Sequence, residues 1–215
     1  MEVRLKADTT RQGVESGMRK LTLVLAIAAI VPLNAAPLSQ ADRDALIKDL
    51  ERSRTVFLDA IADVKTDAQW NHKPAPDRWS VAECAAHIIA AEQYFRDAIA
   101  AALKTPALPA AQQSTAGDAV ISKMVRDRTQ KFQAPAQLEP TGKVVPRAQA
   151  IKDFEATRER TLQYVRTTQD PLREHGSGTP PQVTTAYQLV LMLSGHTERH
   201  TLQLLEVKAS KGYPK

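Results

Sequence analysis

The chain has 215 residues, 43% hydrophobic and 25% charged, enough for one well-buried core and short for two. Aromatic residues make up only 5% and glycines (8) are fewer than prolines (13), which argues against a sandwich or barrel and for an all-helical chain. A single cysteine rules out an internal disulfide and a cysteine-rich zinc site, so any metal must rest on the five histidines or on carboxylates. The formal net charge is +5, of which about +3 falls on residues from 37 onward, too mild to argue for a nucleic-acid partner.

The N-terminus reads as an address. Met18-Arg19-Lys20 is followed by Leu21 to Val31, in which Thr22 is the only polar side chain, and then by a small-residue region around Ala35-Ala36. This is the basic, apolar and small-residue order of a secretory signal peptide, and the apolar run is too short to span a bilayer unaided. The reading is therefore residues 18–36 as a signal peptide and 37–215 as the mature domain, periplasmic or secreted, with no membrane attachment after cleavage. No cysteine follows the apolar run to carry a lipid anchor. Residues 1–17 resemble neither a signal nor a domain and are read as an extension in front of a true start at Met18.

Along the mature chain, Leu46, Leu50, Phe57, Ile61 and Val64 recur at intervals of three, four or seven and predict an amphipathic helix over 42–67. Pro74 and Pro76 break it. A second helix opens at Ser80, where Glu83 three residues on completes a capping-box pattern, and it buries Val81, Ala85, Ile88, Phe95 and Ile99 to about Leu103. A proline-containing loop near 104–116 follows. A short helix is predicted over 118–132, with Val120, Met124, Val125 and Phe132 on one side. Pro135, Pro140, Gly142 and Pro146 then make a long excursion. A long helix from Arg147 to about Thr168 carries Ile151, Phe154, Leu162 and Val165. Residues 176–181 form a breaker-rich loop, and the last helix runs from about Thr184 to Ser210. The expected fold is all-α, a four-helix bundle with an extra short helix, long proline-containing connections and no strand.

The histidines carry the chemistry. Leu189, Leu193, His196, His200, Leu204 and Val207 lie on one stripe of the last helix, so His196 and His200 share a core-facing side one turn apart. Such a pair can hold one ion, or can hydrogen-bond to neighbouring helices as two core-edge histidines. It is not a zincin motif, because Thr197 follows the first histidine and Glu198 points to another face. His87 borders the apolar stripe of the second helix. With the other two it would give the three-nitrogen count of a catalytic zinc site.

The string Trp79-Ser80-Val81-Ala82-Glu83 followed by His87, preceded by Trp70-Asn71-His72-Lys73-Pro74-Ala75-Pro76, resembles the first signature of the DinB-like family. Gly195-His196-Thr197-Glu198-Arg199-His200 with Gln203 is similar to that family's closing helix. The resemblance covers most of residues 42–208. It implies a four-helix bundle holding a divalent ion, zinc or nickel, on His87, His196 and His200, in a family that includes thiol-dependent transferases and isomerases using bacillithiol, mycothiol or glutathione. The ion would act as a Lewis acid, so that hydrolysis by water and transfer of a thiolate are the two candidate reactions on a small-molecule substrate. The export signal favours water and the family favours thiol. The alternative is a binding module, for a small molecule or a partner protein, with no catalysis. A homodimer is the assembly to test.

No residue declares itself as a catalytic general base. Glu83 is a candidate fourth ligand or an acceptor for the other ring nitrogen of His87, beside its capping role. Cys84 is a candidate thiol or a small buried hydrophobe. Gln203 is placed to orient His200. His72 and His175 fall in breaker-rich loops and are expected to be solvated, Trp70 and Trp79 to pin the loop between them, and Arg126, Arg128 and Lys131 to form a solvated face.

Overall fold

A computed structural model describes residues 36–215 except Ser114, Thr141, Lys143, Pro180 and Pro181. The 1–17 extension and all of the signal segment but Ala36 lie outside the described residues.

Four long helices make the bundle: α1 (Gln40–Ala62), α3 (Val81–Ala102), α5 (Arg147–Thr167) and α6 (Ala186–Lys208). Two short ones, α2 (Asp67–Asn71) and α4 (Asp118–Arg126), sit in the connections. The helices start where the sequence can satisfy their first N–H groups. Ser39 caps α1, while Thr66, Ser80 and Thr185 build reciprocal capping boxes with Gln69, Glu83 and Gln188. Helices α1 and α3 each pack against both α5 and α6. The stripes read from the sequence are the core: Leu46, Leu50, Phe57, Ile61, Val64, Val81, Ala85, Ile88, Phe95, Ile99, Phe154, Leu162, Val165, Leu189, Leu193, Leu204 and Val207 are all buried.

That core falls into two apolar clusters. One gathers Leu46, Leu50, Phe95, Leu162 and Leu193, the other Phe57, Ile61, Ile88, Phe154 and Leu204. Between them, on each long helix in turn, lies a buried polar residue: Ser53, Glu92, Arg158 and Thr197. A polar layer thus crosses the middle of the bundle, and it is fully hydrogen-bonded, as burial of charge demands.

Three expectations are corrected. Residues 176–185 are not a plain loop: Gly176–Thr179 (β1) and Gln182–Thr185 (β2) pair antiparallel, and α6 begins after them, at Ala186. The strands are four residues each and lack an apolar alternation, so periodicity cannot announce them. The hairpin depends on Gly178, whose φ of +101° and close approach to the Gln182 carbonyl exclude a side chain. The short helix ends at Arg126 and not near Phe132, because Asp127 leaves helical geometry and its carboxylate accepts from the N–H and hydroxyl of Thr129. In consequence Val120, Met124 and Phe132 are exposed and Val125 alone of the four is buried. The first predicted helix divides at Asp63, with Thr66 starting α2 afresh.

Candidate metal centre

Helices α3 and α6 lie side by side and bring His87, His196 and His200 together, so that one ring nitrogen of each lies within 4.8 Å of the others. Nε2 of His87 is 3.0 Å from Nε2 of His196 and 3.2 Å from Nε2 of His200. His87 is buried and the other two are partly buried.

The remaining ring nitrogens set the tautomers. Nδ1 of His87 donates to the Leu138 carbonyl at 2.7 Å, and a carbonyl only accepts. Nδ1 of His200 donates to Oε1 of Gln203 at 2.9 Å, and that oxygen also accepts from Arg128, which fixes the amide's orientation. In their neutral forms both rings therefore present a bare lone pair at Nε2, and these two lone pairs face each other across 3.2 Å with no proton to share. Nδ1 of His196 is buried and has no hydrogen-bond partner among the described residues. Burial holds all three imidazoles below their usual pKa, and the neighbouring rings depress His196 and His200 further, His200 to about 3. Protonation cannot relieve the crowding at neutral pH. A divalent ion fits this donor set: three neutral imidazoles converging by Nε2, two of them held from behind by an acceptor on Nδ1.

Among the described residues no carboxylate or thiol joins the cluster. Glu83 is spent elsewhere, accepting from the Ser80 N–H at 2.7 Å and pairing with Lys73 at 3.1 Å. Cys84 is buried and burial pushes its thiol up to about 12, which makes it a small hydrophobe. Gln203 orients His200 as the sequence suggests.

The cluster forms the floor of a cleft of about 570 Å³. Trp79 is one wall, its ring centroid 4.8 Å from that of His87 and 5.9 Å from that of His200. Further lining comes from α4 and the segment after it, through Met124, Val125, Arg128 and Phe132. Helix α4 lies close on α6 at Gly195, where a Cβ would meet Val125 and Arg126 at 3.1–3.2 Å. Arg126 locks it there by pairing with Asp49 of α1 and Glu198 of α6, each at 2.8 Å.

Several secondary residues do more than their sequence setting suggested. Arg126 and Arg128 are not a free solvated face, since Arg128 pairs with Glu206 at 2.8 Å. Nor are the loop histidines merely solvated. Nε2 of His72 lies 3.2 Å from the Ser210 hydroxyl, and Nδ1 of His175 donates to the Thr105 carbonyl at 2.7 Å. Trp70 pins its loop as expected, buried and donating to the Val145 carbonyl at 2.8 Å. The residue that sequence reasoning missed is Leu138, which acts through its backbone. Arg199 was missed as well; it donates to the carbonyls of Asp127 and Gln130 and so holds the turn after α4.

A four-helix bundle with three converging histidines beneath an open cleft is the class that fold and site define. The profile of the DinB superfamily matches residues 49–204, and the chain belongs to that superfamily. Among solved structures, one similar chain is Bacillus subtilis YfiT, reported as a probable metal-dependent hydrolase with an unusual four-helix bundle topology. The TM-score is 0.51 at 15% identity, covering 80% of this chain and 88% of that one. At that identity the likeness speaks for the fold. No curated protein matches.

Proposed function

We propose that His87, His196 and His200 hold one divalent ion and that the protein is a metal-dependent hydrolase acting on a small molecule in the cleft above them. The observation that carries this is the pair of bare Nε2 lone pairs on His87 and His200, facing each other at 3.2 Å in a buried site. Without a cation between them that arrangement is repulsive; with one it is a ligand set. Three protein ligands and an open cleft are the pattern of a catalytic site, since structural zinc sites are closed by a fourth. A divalent ion there supplies Lewis acidity at the cleft floor.

The chain's own residues do the rest. Leu138 and Gln203 keep two imidazoles in the ligating tautomer, and Trp79 shields the histidines on one side. Asp77 and Glu139 are the carboxylates of the cleft lining, both exposed, and are the available proton acceptors. The hydrolase name given to YfiT supports water over a thiolate as nucleophile. Export of the mature chain, proposed from residues 18–36, points the same way, because low-molecular-weight thiols of this family's kind belong to the cytoplasm.

Elemental analysis of the purified protein beside a His196→Ala, His200→Ala variant tests the metal. About one equivalent of zinc, nickel or another divalent ion in the parent and little in the variant is expected. No metal in the parent after reconstitution overturns the reading and leaves a binding module. Fractionation tests export, which fails if the uncleaved chain stays in the cytosol.

A further inference from the structure

The cleft has a chemical character that its floor does not dictate. Its walls are apolar: Trp79, Tyr94, Phe95, Met124, Phe132 and Met192 line it. Three of these stand open to solvent, Phe132 at 68% exposure, Met124 at 47% and Tyr94 at 37%. Set among them are four cations, Arg78, Arg128, Lys131 and Arg199, against two carboxylates, Asp77 and Glu139.

The cations are not equally committed. Arg199 gives its donors to backbone carbonyls, and Arg128 is paired with Glu206. The side chains of Arg78 and Lys131 are exposed and have no hydrogen-bond or ion-pair partner among the described residues. Lys131 directly precedes Phe132, whose exposed ring has the Arg199 guanidinium 5.1 Å from its centroid, so a free ammonium and an exposed ring are neighbours in the chain. Exposed apolar surface in a concave site calls for an apolar ligand, and an excess of unpaired positive charge calls for an anion. Asp77 and Glu139 in the same lining oppose a multiply charged one.

We propose that the cleft binds a small organic monoanion, an apolar chain or ring that ends in a carboxylate, with its body on Tyr94, Met124 and Phe132 and its carboxylate drawn by the two uncommitted cations, Arg78 and Lys131. As a substrate class this rests on the metal-dependent reading above. As a binding specificity it does not, and the two can fail separately.

The test is calorimetry on metal-stripped protein with three probes that share one body: phenylbutyrate, phenylbutanol and phenylbutylamine. Phenylbutyrate is expected to bind about tenfold more tightly than the alcohol, with the amine weakest, which is the scale of one charge-assisted contact. The preference should shrink to about twofold in an Arg78→Gln, Lys131→Gln variant, and likewise for the parent protein in about 0.5 M salt, which tests the same point without relying on the variant's folding. Equal or tighter binding of the alcohol or amine overturns the proposal, as does a carboxylate preference indifferent to salt. Stripping the metal removes direct coordination of the probe as an explanation. Zinc uptake measured in parallel separates the two failures: protein that takes zinc but ignores probe charge refutes this inference alone, and protein that prefers the carboxylate but takes no zinc refutes the metal reading alone.

Discussion

Arg158 of α5 and Glu92 of α3 meet in the centre of the bundle with neither side chain exposed, the guanidinium donating to one carboxylate oxygen from Nε at 2.8 Å and from Nη2 at 2.5 Å. The other donors of Arg158 go to the Leu50 carbonyl and to the hydroxyls of Ser53 and Thr197, so all four long helices share one network. Thr197 is the neighbour of His196, which ties the polar layer to the metal centre's own helix.

A buried pair of this kind is costly to break and cheap to replace. Arg158→Ala is expected to lose about 3–5 kcal/mol, because the buried Glu92 loses its close cation and keeps only Arg96 at 3.8 Å and the Thr161 hydroxyl. Replacing both, Arg158→Met with Glu92→Leu, should recover most of that loss. Urea unfolding of the parent, single and double variants checks the order, and a double variant as unstable as the single would refute it.

Gln203 acts on the centre only through Nδ1 of His200. Gln203→Ala should leave the fold intact and weaken metal binding by about 10–100-fold, the usual range for losing such an outer partner. Competition against a chromogenic chelator measures it directly, and an unchanged affinity would show that His200 needs no orienting.

Acid should destabilise the metal-free protein earlier than its carboxylates require. Burial lowers the pKa of all three histidines in the folded state, His200 to about 3, while in the unfolded chain they titrate near 6.5. Between those values the unfolded chain binds protons that the folded chain refuses. Their contribution to stability is thus fully present above about pH 6.5 and lost as pH falls toward 3. Thermal melts in chelator across that window should show the decline, and His200→Asn should make it shallower.

Arg126 anchors the α4 wall of the cleft to α1 and α6. Arg126→Ala is expected to cost about 1–2 kcal/mol, since its two ion pairs are half-buried and share one cation. Amide exchange should quicken selectively over residues 118–126, with α1 and α6 protected as before. Uniform quickening would mean that α4 is held by other means.

Much of this molecule is legible in its sequence because helical periodicity reports burial directly. Leu46, Leu50, Phe154 and Leu193 sit where their spacing puts them, and His196 and His200 fall on the same kind of stripe as Leu189 and Leu204. Where the determinant is not periodic, reading fails. The β1–β2 hairpin rests on backbone geometry at Gly178, and the end of α4 rests on one Asp127 side chain capturing Thr129. Arg126 looks like any surface arginine until the fold supplies Asp49 from 77 residues away. The polar layer was equally hidden, for Arg158 and Glu92 each read as an ordinary charged position on a helix.

The Leu138 carbonyl has a genetic consequence. Every residue type carries that oxygen, so a substitution at Leu138 does not remove the bond to His87 and reaches it only by disturbing the packing of the buried Leu138 side chain. What the histidine requires of the 127–146 connection is its length and path. Single-residue deletions or insertions there should therefore cripple the site where an apolar replacement of Leu138 does not, and natural variation should be tighter in spacing than in letters.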